Sequence, residues 1–93
     1  MNEQTKEILI ILQEECAEVI VEISKIMRFG PDQCKPNSDE TNIQYLQKEL
    51  GDLIAMIELI TDQKVGITMQ GLKAAKQGKF EKLKSWSNIT INK

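Results

Sequence analysis

Residues 46–60 have the sequence LQKELGDLIAMIELI, an apolar segment with two acids, Glu49 and Asp52, near its middle. Placed on a helix at about 100° per residue, its apolar side chains cover almost the whole circumference. Such a helix is normally buried on most sides. Carboxylates there are costly unless they are paired or bind a cation, and the one base in the segment, Lys48, lies about 100° from Glu49. The segment therefore predicts a buried helix whose acids find their partner elsewhere.

Local signals place this segment in the second of three helices. The predicted helices run from Glu3 to Arg28, from Thr41 to about Asp62, and from Thr68 to about Trp86. Gly30 and Pro31 form a helix-stop signal after the first helix. Thr41 and Gln44 have the spacing of a capping box at the start of the second. We expect a single all-α domain over residues 1–93, in which three helices per chain assemble into an oligomeric helical bundle.

Composition excludes several classes of function. The chain has 93 residues, a net charge of −2 and no histidine. The balanced charge argues against a nucleic-acid partner, and the missing histidine removes His-based catalysis and His metal ligands. Cys16 and Cys34 form no CxxC motif, so we expect reduced thiols. With no signal peptide and no apolar run long enough to span a membrane, the expected compartment is the cytoplasm, or the host cytoplasm if the chain is phage-encoded.

Acids recur at i, i+3 spacing in the first two helices. Glu15, Glu18 and Glu22 fall within a roughly 60° arc of the first helix, beside its apolar stripe. Glu49 and Asp52 form the corresponding pair in the second. Two such pairs on facing helices supply the hard oxygen ligands that Mg²⁺ or Mn²⁺ prefers. Glu15 and Glu18 alone are more typical of a solvated helix face; the pair inside the apolar helix is harder to explain that way.

These acids carry a family resemblance. Glu14-Glu15-Cys16-Ala17-Glu18 followed by Glu49-Leu50-Gly51-Asp52 resembles the EExxE…ExxD signature of MazG-like all-α nucleoside triphosphate pyrophosphohydrolases, which also include dimeric dUTPases. The continuation from Val19 to Gly30, which ends Ser24-Lys25-Ile26-Met27-Arg28-Phe29-Gly30, is similar to the short phage-encoded branch that includes MazZ-type enzymes acting on dGTP. The segment between the two motifs is longer than is usual in the family.

The resemblance implies a metal site and a reaction. It implies that Glu15, Glu18, Glu49 and Asp52 bind Mg²⁺, with Mn²⁺ as an alternative. Glu14 matches the first acid of the motif and is expected beside the site, so that Glu14, Glu15 and Glu18 are the candidate catalytic residues. The implied reaction is water attack on the α-phosphate of a nucleoside triphosphate, giving a monophosphate and pyrophosphate. A purine deoxynucleotide such as dGTP is favoured by resemblance alone.

Three bases are candidates for binding the substrate phosphates. Lys25 lies seven residues after Glu18 on the same side of the first helix, and Arg28 lies at the end of that helix. Lys79 falls within the apolar stripe of the third helix, and a lysine on this buried face predicts a partner such as the triphosphate or an acidic residue. Each of the three is equally well explained as a solvated base. We expect Phe80 and Trp86 to be core residues rather than platforms for a base.

A second apolar patch predicts self-association. Ile10, Ala17 and Val21 lie opposite the acids on the first helix, which predicts an interface with another subunit. We expect a homodimer or homotetramer, which the resemblance also implies. Two alternatives remain open: a dUTPase-like specificity, and a non-enzymatic helical interaction module whose acids are neutralised by lysines across a dimer.

Overall fold

A computed structural model describes residues 1–93 as three helices without a strand. The helices are α1 (Glu3–Phe29), α2 (Asn42–Asp62) and α3 (Met69–Trp86). Only an isolated antiparallel bridge between Cys34 and Thr41 interrupts the helical architecture. The prediction of an all-α chain with three helices is therefore confirmed, and both cysteines are free thiols. None of the helices is both long and apolar enough to cross a membrane.

Helix ends form where capping residues predict them. Thr41 Oγ1 accepts the amide hydrogen of Gln44 at 3.2 Å, and the Gln44 side chain accepts that of Thr41 at 2.7 Å, which completes the capping box. Thr68 Oγ1 likewise accepts the amide of Gly71 at 3.0 Å. After α1, Gly30 turns the chain with φ +95°, a conformation that costs glycine little.

The first two helices form an antiparallel hairpin. At its open end, Thr5 Oγ1 donates to Gln63 Oε1 at 2.8 Å. At the loop end, Asn42 Nδ2 donates to the carbonyl of Gly30 at 3.0 Å. Ile60, which is fully buried, lies in the small core of the chain. These tethers fix the register in which α1 faces α2.

The third helix extends away from this hairpin. It contains no buried residue and makes at most marginal contact with the other helices. The radius of gyration is 16.2 Å, whereas a compact chain of this length has about 12 Å. The expectation that Trp86 belongs to a core is wrong for the single chain, because its side chain is 86% exposed.

The outer face of α2 is also uncovered. Ile54 is 67% exposed, so burial on most sides is not achieved within one chain. Ile43, Leu50 and Ile54 line an open hollow on this face. A Cβ placed on Gly51, which borders the same hollow, would meet no atom within 4 Å, so no other part of the chain packs closely against this glycine.

Candidate metal centre

Three carboxylates converge between the two helices of the hairpin. One oxygen each from Glu15 on α1 and from Glu49 and Asp52 on α2 lie within 4.8 Å of one another. Glu49 and Asp52 share a face of α2 because they are three residues apart. Glu15 meets them because the helices run antiparallel in a fixed register. We call these three residues the acid cluster.

The electrostatics of the acid cluster are unfavourable without a cation. Burial raises the pKa of Glu49, and the nearby carboxylates of Glu15, Asp52 and Glu18 raise this pKa further. Oε2 of Glu15 is buried without a hydrogen-bond partner. Glu49 and Asp52 enter no ion pair with a lysine or arginine of the chain. An unpartnered buried oxygen among like charges fits an all-oxygen site for a hard divalent cation.

The two remaining predicted acids lie outside the acid cluster. Glu18 is exposed and contributes to the negative potential at Glu49, but its carboxylate is not among the converging oxygens. Glu14 is exposed as well. The structure therefore brings together three of the four predicted metal ligands and places Glu18 one helical turn from Glu15.

A buried ion pair appears where no sequence pattern predicted one. Glu22 is only 3% exposed, although it lies on the same face of α1 as Glu15 and Glu18. Its carboxylate lies 3.0 Å from Lys35 Nζ in the connecting loop and 3.6 Å from Lys25 Nζ. Oε1 of Glu22 accepts no hydrogen bond, so its 3.0 Å contact with Lys35 Nζ is an ion pair without a hydrogen bond. No periodicity places a loop lysine opposite a helix glutamate, which explains why sequence reasoning missed it.

The predicted phosphate-binding bases are dispersed. Lys25 lies beside Glu22, seven residues beyond Glu18 on α1. The guanidinium of Arg28 stacks 4.9 Å from the centre of the Phe29 ring. Lys79 is exposed on α3, so the expectation of a lysine on a buried face is wrong within one chain. The physical reason is that α3 has no partner in this chain to cover it.

Comparison with protein families identifies the family of this chain. The family model of the MazG nucleotide pyrophosphohydrolase domain matches residues 3–85, which span all of α1 and α2 and nearly all of α3. This chain belongs to the MazG family. Searches among curated proteins and solved structures gave no match. Membership of the MazG family confirms the resemblance seen in the acidic motifs. That the chain belongs to the short phage-type branch stays a prediction.

Family membership and geometry agree on the kind of chemistry. At the level of the family, MazG domains are nucleotide pyrophosphohydrolases. The acid cluster lies on the two helices that carry the acidic motifs, and it can hold a metal ion.

Proposed function

We propose that this MazG-family protein hydrolyses a nucleoside triphosphate, in a Mg²⁺-dependent reaction, to a nucleoside monophosphate and pyrophosphate. The observation that carries the proposal is the convergence of Glu15, Glu49 and Asp52 from two helices, with oxygens within 4.8 Å of one another. Mn²⁺ has the same preference for oxygen ligands and is the alternative ion.

The bound ion supplies charge neutralisation for the triphosphate and acidifies a bound water. We assign Glu15, Glu49 and Asp52 as its ligands and Glu18 as a fourth carboxylate one turn away. In the reaction, the water oxygen bonds to the α-phosphorus and the bond from that phosphorus to the bridging oxygen breaks. Pyrophosphate leaves with the electron pair, and a carboxylate accepts the proton of the water. Glu14 and Glu18 lie outside the acid cluster and are the candidates for orienting this water.

The test is a panel of ribo- and deoxynucleoside triphosphates incubated with Mg²⁺. We expect monophosphate and pyrophosphate as products, with a purine deoxynucleotide such as dGTP preferred. Preference for dUTP would favour the dUTPase-like alternative, and release of orthophosphate would mean that a different bond is cut. Asp52→Asn should lower kcat/KM by at least about 100-fold, because it removes a direct ligand. Normal turnover by that variant would refute the assignment.

We further propose that the working protein is a homodimer or homotetramer. Residues 69–93 contain six lysines and one acid, a net charge of +5, which leaves −7 on residues 1–68. An isolated helix such as α3, with glycines at 71 and 78 and no buried side chain, is only marginally stable in water. Docking of α3 on the acidic hairpin of a second copy would cover it and would bring Lys79 toward a triphosphate.

The exposed apolar face of α2 also favours self-association over a lone chain. Large uncovered apolar patches mark interfaces. The same feature supports the non-enzymatic alternative, a helical module whose acids pair with lysines of another copy. That alternative predicts no metal-dependent stabilisation and no loss of function in Glu49→Gln. Light scattering that shows a stable monomer would refute the assembly proposal.

A further inference from the structure

One face of α3 combines an exposed aromatic ring with two lysines. Its residues fall within an arc of about 100° on the helix. They are Lys79, Lys82, Leu83 and Trp86. Together they line an open hollow of about 370 Å³, a volume in the range of sites for small molecules. We call these four residues the α3 face.

The two lysines of the α3 face are not neutralised within the chain. Glu81, the one acid of residues 69–93, projects from the opposite side of the helix and pairs with Lys84 at 3.0 Å. Neither Lys79 nor Lys82 enters an ion pair. The α3 face therefore presents two unpaired ammonium groups, which suit an anionic ligand such as a phosphate group.

The aromatic ring of the α3 face is left uncovered by the rest of the chain. Trp86 is 86% exposed, and tryptophan is enriched where proteins bind partners. Residues 87–93 do not pack over it. Instead, Nζ of Lys93 lies 5.6 Å from the centre of the Phe80 ring, on a different side of α3. The segment after α3 thus contacts one aromatic ring of the helix and leaves the indole available.

The cap of α3 fixes the position of Trp86 within the helix. The amide of Ser87 donates to the carbonyl of Leu83 at 3.0 Å, and the Ser87 hydroxyl donates to the same carbonyl at 2.8 Å. These bonds close the last turn, which carries Trp86. The backbone of Trp86 is therefore held at a fixed distance from that of Lys79.

The length of the α3 face matches one nucleotide. At 1.5 Å per residue, Trp86 lies about 10 Å along the helix axis from Lys79. The sugar of a nucleotide separates its phosphates from its base by a comparable length. Bases stack on aromatic rings, and phosphates bind ammonium groups. A nucleotide with its phosphates at Lys79 can therefore place its base on Trp86.

We propose that Trp86 is the stacking platform for the base of the triphosphate, on an α3 helix docked from a second copy of the chain. This inference rests on the proposed function, in which the docked helix brings Lys79 toward the triphosphate at the acid cluster. Stacking tolerates any base, because every base has a flat face. Trp86 therefore adds affinity for the nucleoside part of the substrate and does not choose between bases.

Trp86 reports on its own contacts, because it is the one tryptophan of the chain. Its fluorescence is measured in the presence of Mg²⁺ with two probes. One is a nucleoside triphosphate with a non-hydrolysable α,β-bridge, and the other is inorganic tripolyphosphate, which has no base. The nucleotide analogue should quench the emission, because a stacked base contacts the indole directly. Tripolyphosphate should leave the emission nearly unchanged.

Substitutions on α3 separate the base from the phosphates, with binding measured by calorimetry. Trp86→Ala should weaken binding of the nucleotide analogue by about tenfold, the cost of losing one base–aromatic stack. Trp86→Phe should retain most of the affinity, because a smaller aromatic ring still stacks. Both variants should bind tripolyphosphate as the unchanged protein does. Lys79→Ala should weaken binding of both probes, because it removes a charge that faces the phosphates.

Phe29→Ala is the matched control for loss of an exposed aromatic ring. Phe29 is 52% exposed at the end of α1. It lies about 21 Å along the helix axis from Glu15, too far to touch the base of a nucleotide held at the acid cluster. This variant should bind both probes normally.

The other outcomes overturn the assignment of Trp86 in distinct ways. If Trp86→Ala weakens both probes equally, or dissociates the assembly in light scattering, the ring belongs to the subunit interface. If the analogue binds Trp86→Ala normally while triphosphate is still hydrolysed, the base lies elsewhere and the proposed function stands. Quenching by the analogue in a protein that hydrolyses no triphosphate would refute the proposed function and leave the base subsite intact.

Discussion

Nζ of Lys35 lies 3.0 Å from Oε1 of Glu22, which joins the middle of the α1–α2 loop to a buried carboxylate on α1. Burial by itself lowers the pKa of Lys35, but the close contact with Glu22 and the charge of that carboxylate outweigh it, so that this pKa is raised overall. The ion pair is thus favourable in the folded protein, and it links the loop to α1.

Replacing Glu22 by Gln should destabilise the protein. The substitution keeps the side-chain shape but removes the charge that holds Lys35 and Lys25, a loss of about 1–2 kcal/mol in the free energy of unfolding. Urea unfolding followed by circular dichroism measures this change. Glu7→Gln is the matched control, because Glu7 is an exposed, unpaired acid on the same helix. Equal stability of the two variants would mean that the ion pair does not anchor the loop.

Replacing Glu49 by Gln should instead stabilise the folded protein when no metal is present. Because burial and the neighbouring carboxylates raise the pKa of Glu49, the folded protein holds this proton more tightly than the unfolded chain. Protonation of Glu49 therefore stabilises the folded protein. This stabilisation is fully present below the ordinary glutamate pKa, and it is lost as the pH rises through the raised pKa of Glu49. At neutral pH the charged Glu49 therefore destabilises the metal-free protein, and Gln should raise its Tm.

Melting curves in EDTA at pH 4 and pH 8 test this prediction. Glu49→Gln should melt higher than the unchanged protein at pH 8, and the advantage should shrink at pH 4. Glu58→Gln, an exposed acid on α2, should show no such pH-dependent gain. A lower Tm for Glu49→Gln at pH 8 would show that Glu49 already has a stabilising partner within the protein.

Local sequence signals predicted the helix ends because caps are built from residues close in the chain. The side chains of Thr41 and Gln44 each accept the backbone amide of the other, and the Thr68 side chain accepts the amide of Gly71 at the start of α3. The pairing of Glu15 with Glu49 and Asp52 was predictable for a related reason. Acids at i, i+3 spacing must share a helix face, and apolar neighbours direct that face toward another helix.

Contacts that depend on the path of a loop, or on another molecule, could not be predicted this way. The ion pair of Glu22 with Lys35 depends on how the chain between them folds back after α1 ends, and periodicity carries no information about that. The apolar pattern around Ile54 indicated that the face would be covered, but not by which chain. The prediction that Trp86 is a core residue is wrong for the same reason, because an apolar stripe on α3 does not show which surface covers it.

Metal binding should stabilise the protein through the acid cluster. A ligand that binds only the folded state adds about 2.7 kcal/mol when its concentration is 100 times Kd. We expect Mg²⁺ or Mn²⁺ to raise the Tm of the unchanged protein, and to leave that of Asp52→Asn nearly unchanged. The control variant Asp62→Asn alters an exposed acid at the end of α2 and should respond like the unchanged protein. A metal-dependent shift that survives in Asp52→Asn would place the ion elsewhere.

Mixing two inactive variants distinguishes a third helix that acts across subunits from one that acts within its own chain. Glu49→Gln disables the acid cluster and Lys79→Ala removes the basic side chain proposed to reach the triphosphate. If α3 docks on a second copy, a mixed dimer contains one site with both residues intact. Random pairing of the two variants should then restore about a quarter of the activity of the unchanged dimer.

The same experiment contains its own control. Glu49 and Asp52 belong to one cluster on one helix, so mixing Glu49→Gln with Asp52→Asn leaves every site with a defective acid and should restore nothing. Recovery in the first mixture and none in the second would establish that the acid cluster and α3 of each site come from different chains. No recovery in either, with mixed dimers shown by mass spectrometry, would place Lys79 beside the acids of its own chain. In that case α3 would have to fold back onto its own hairpin in the working protein.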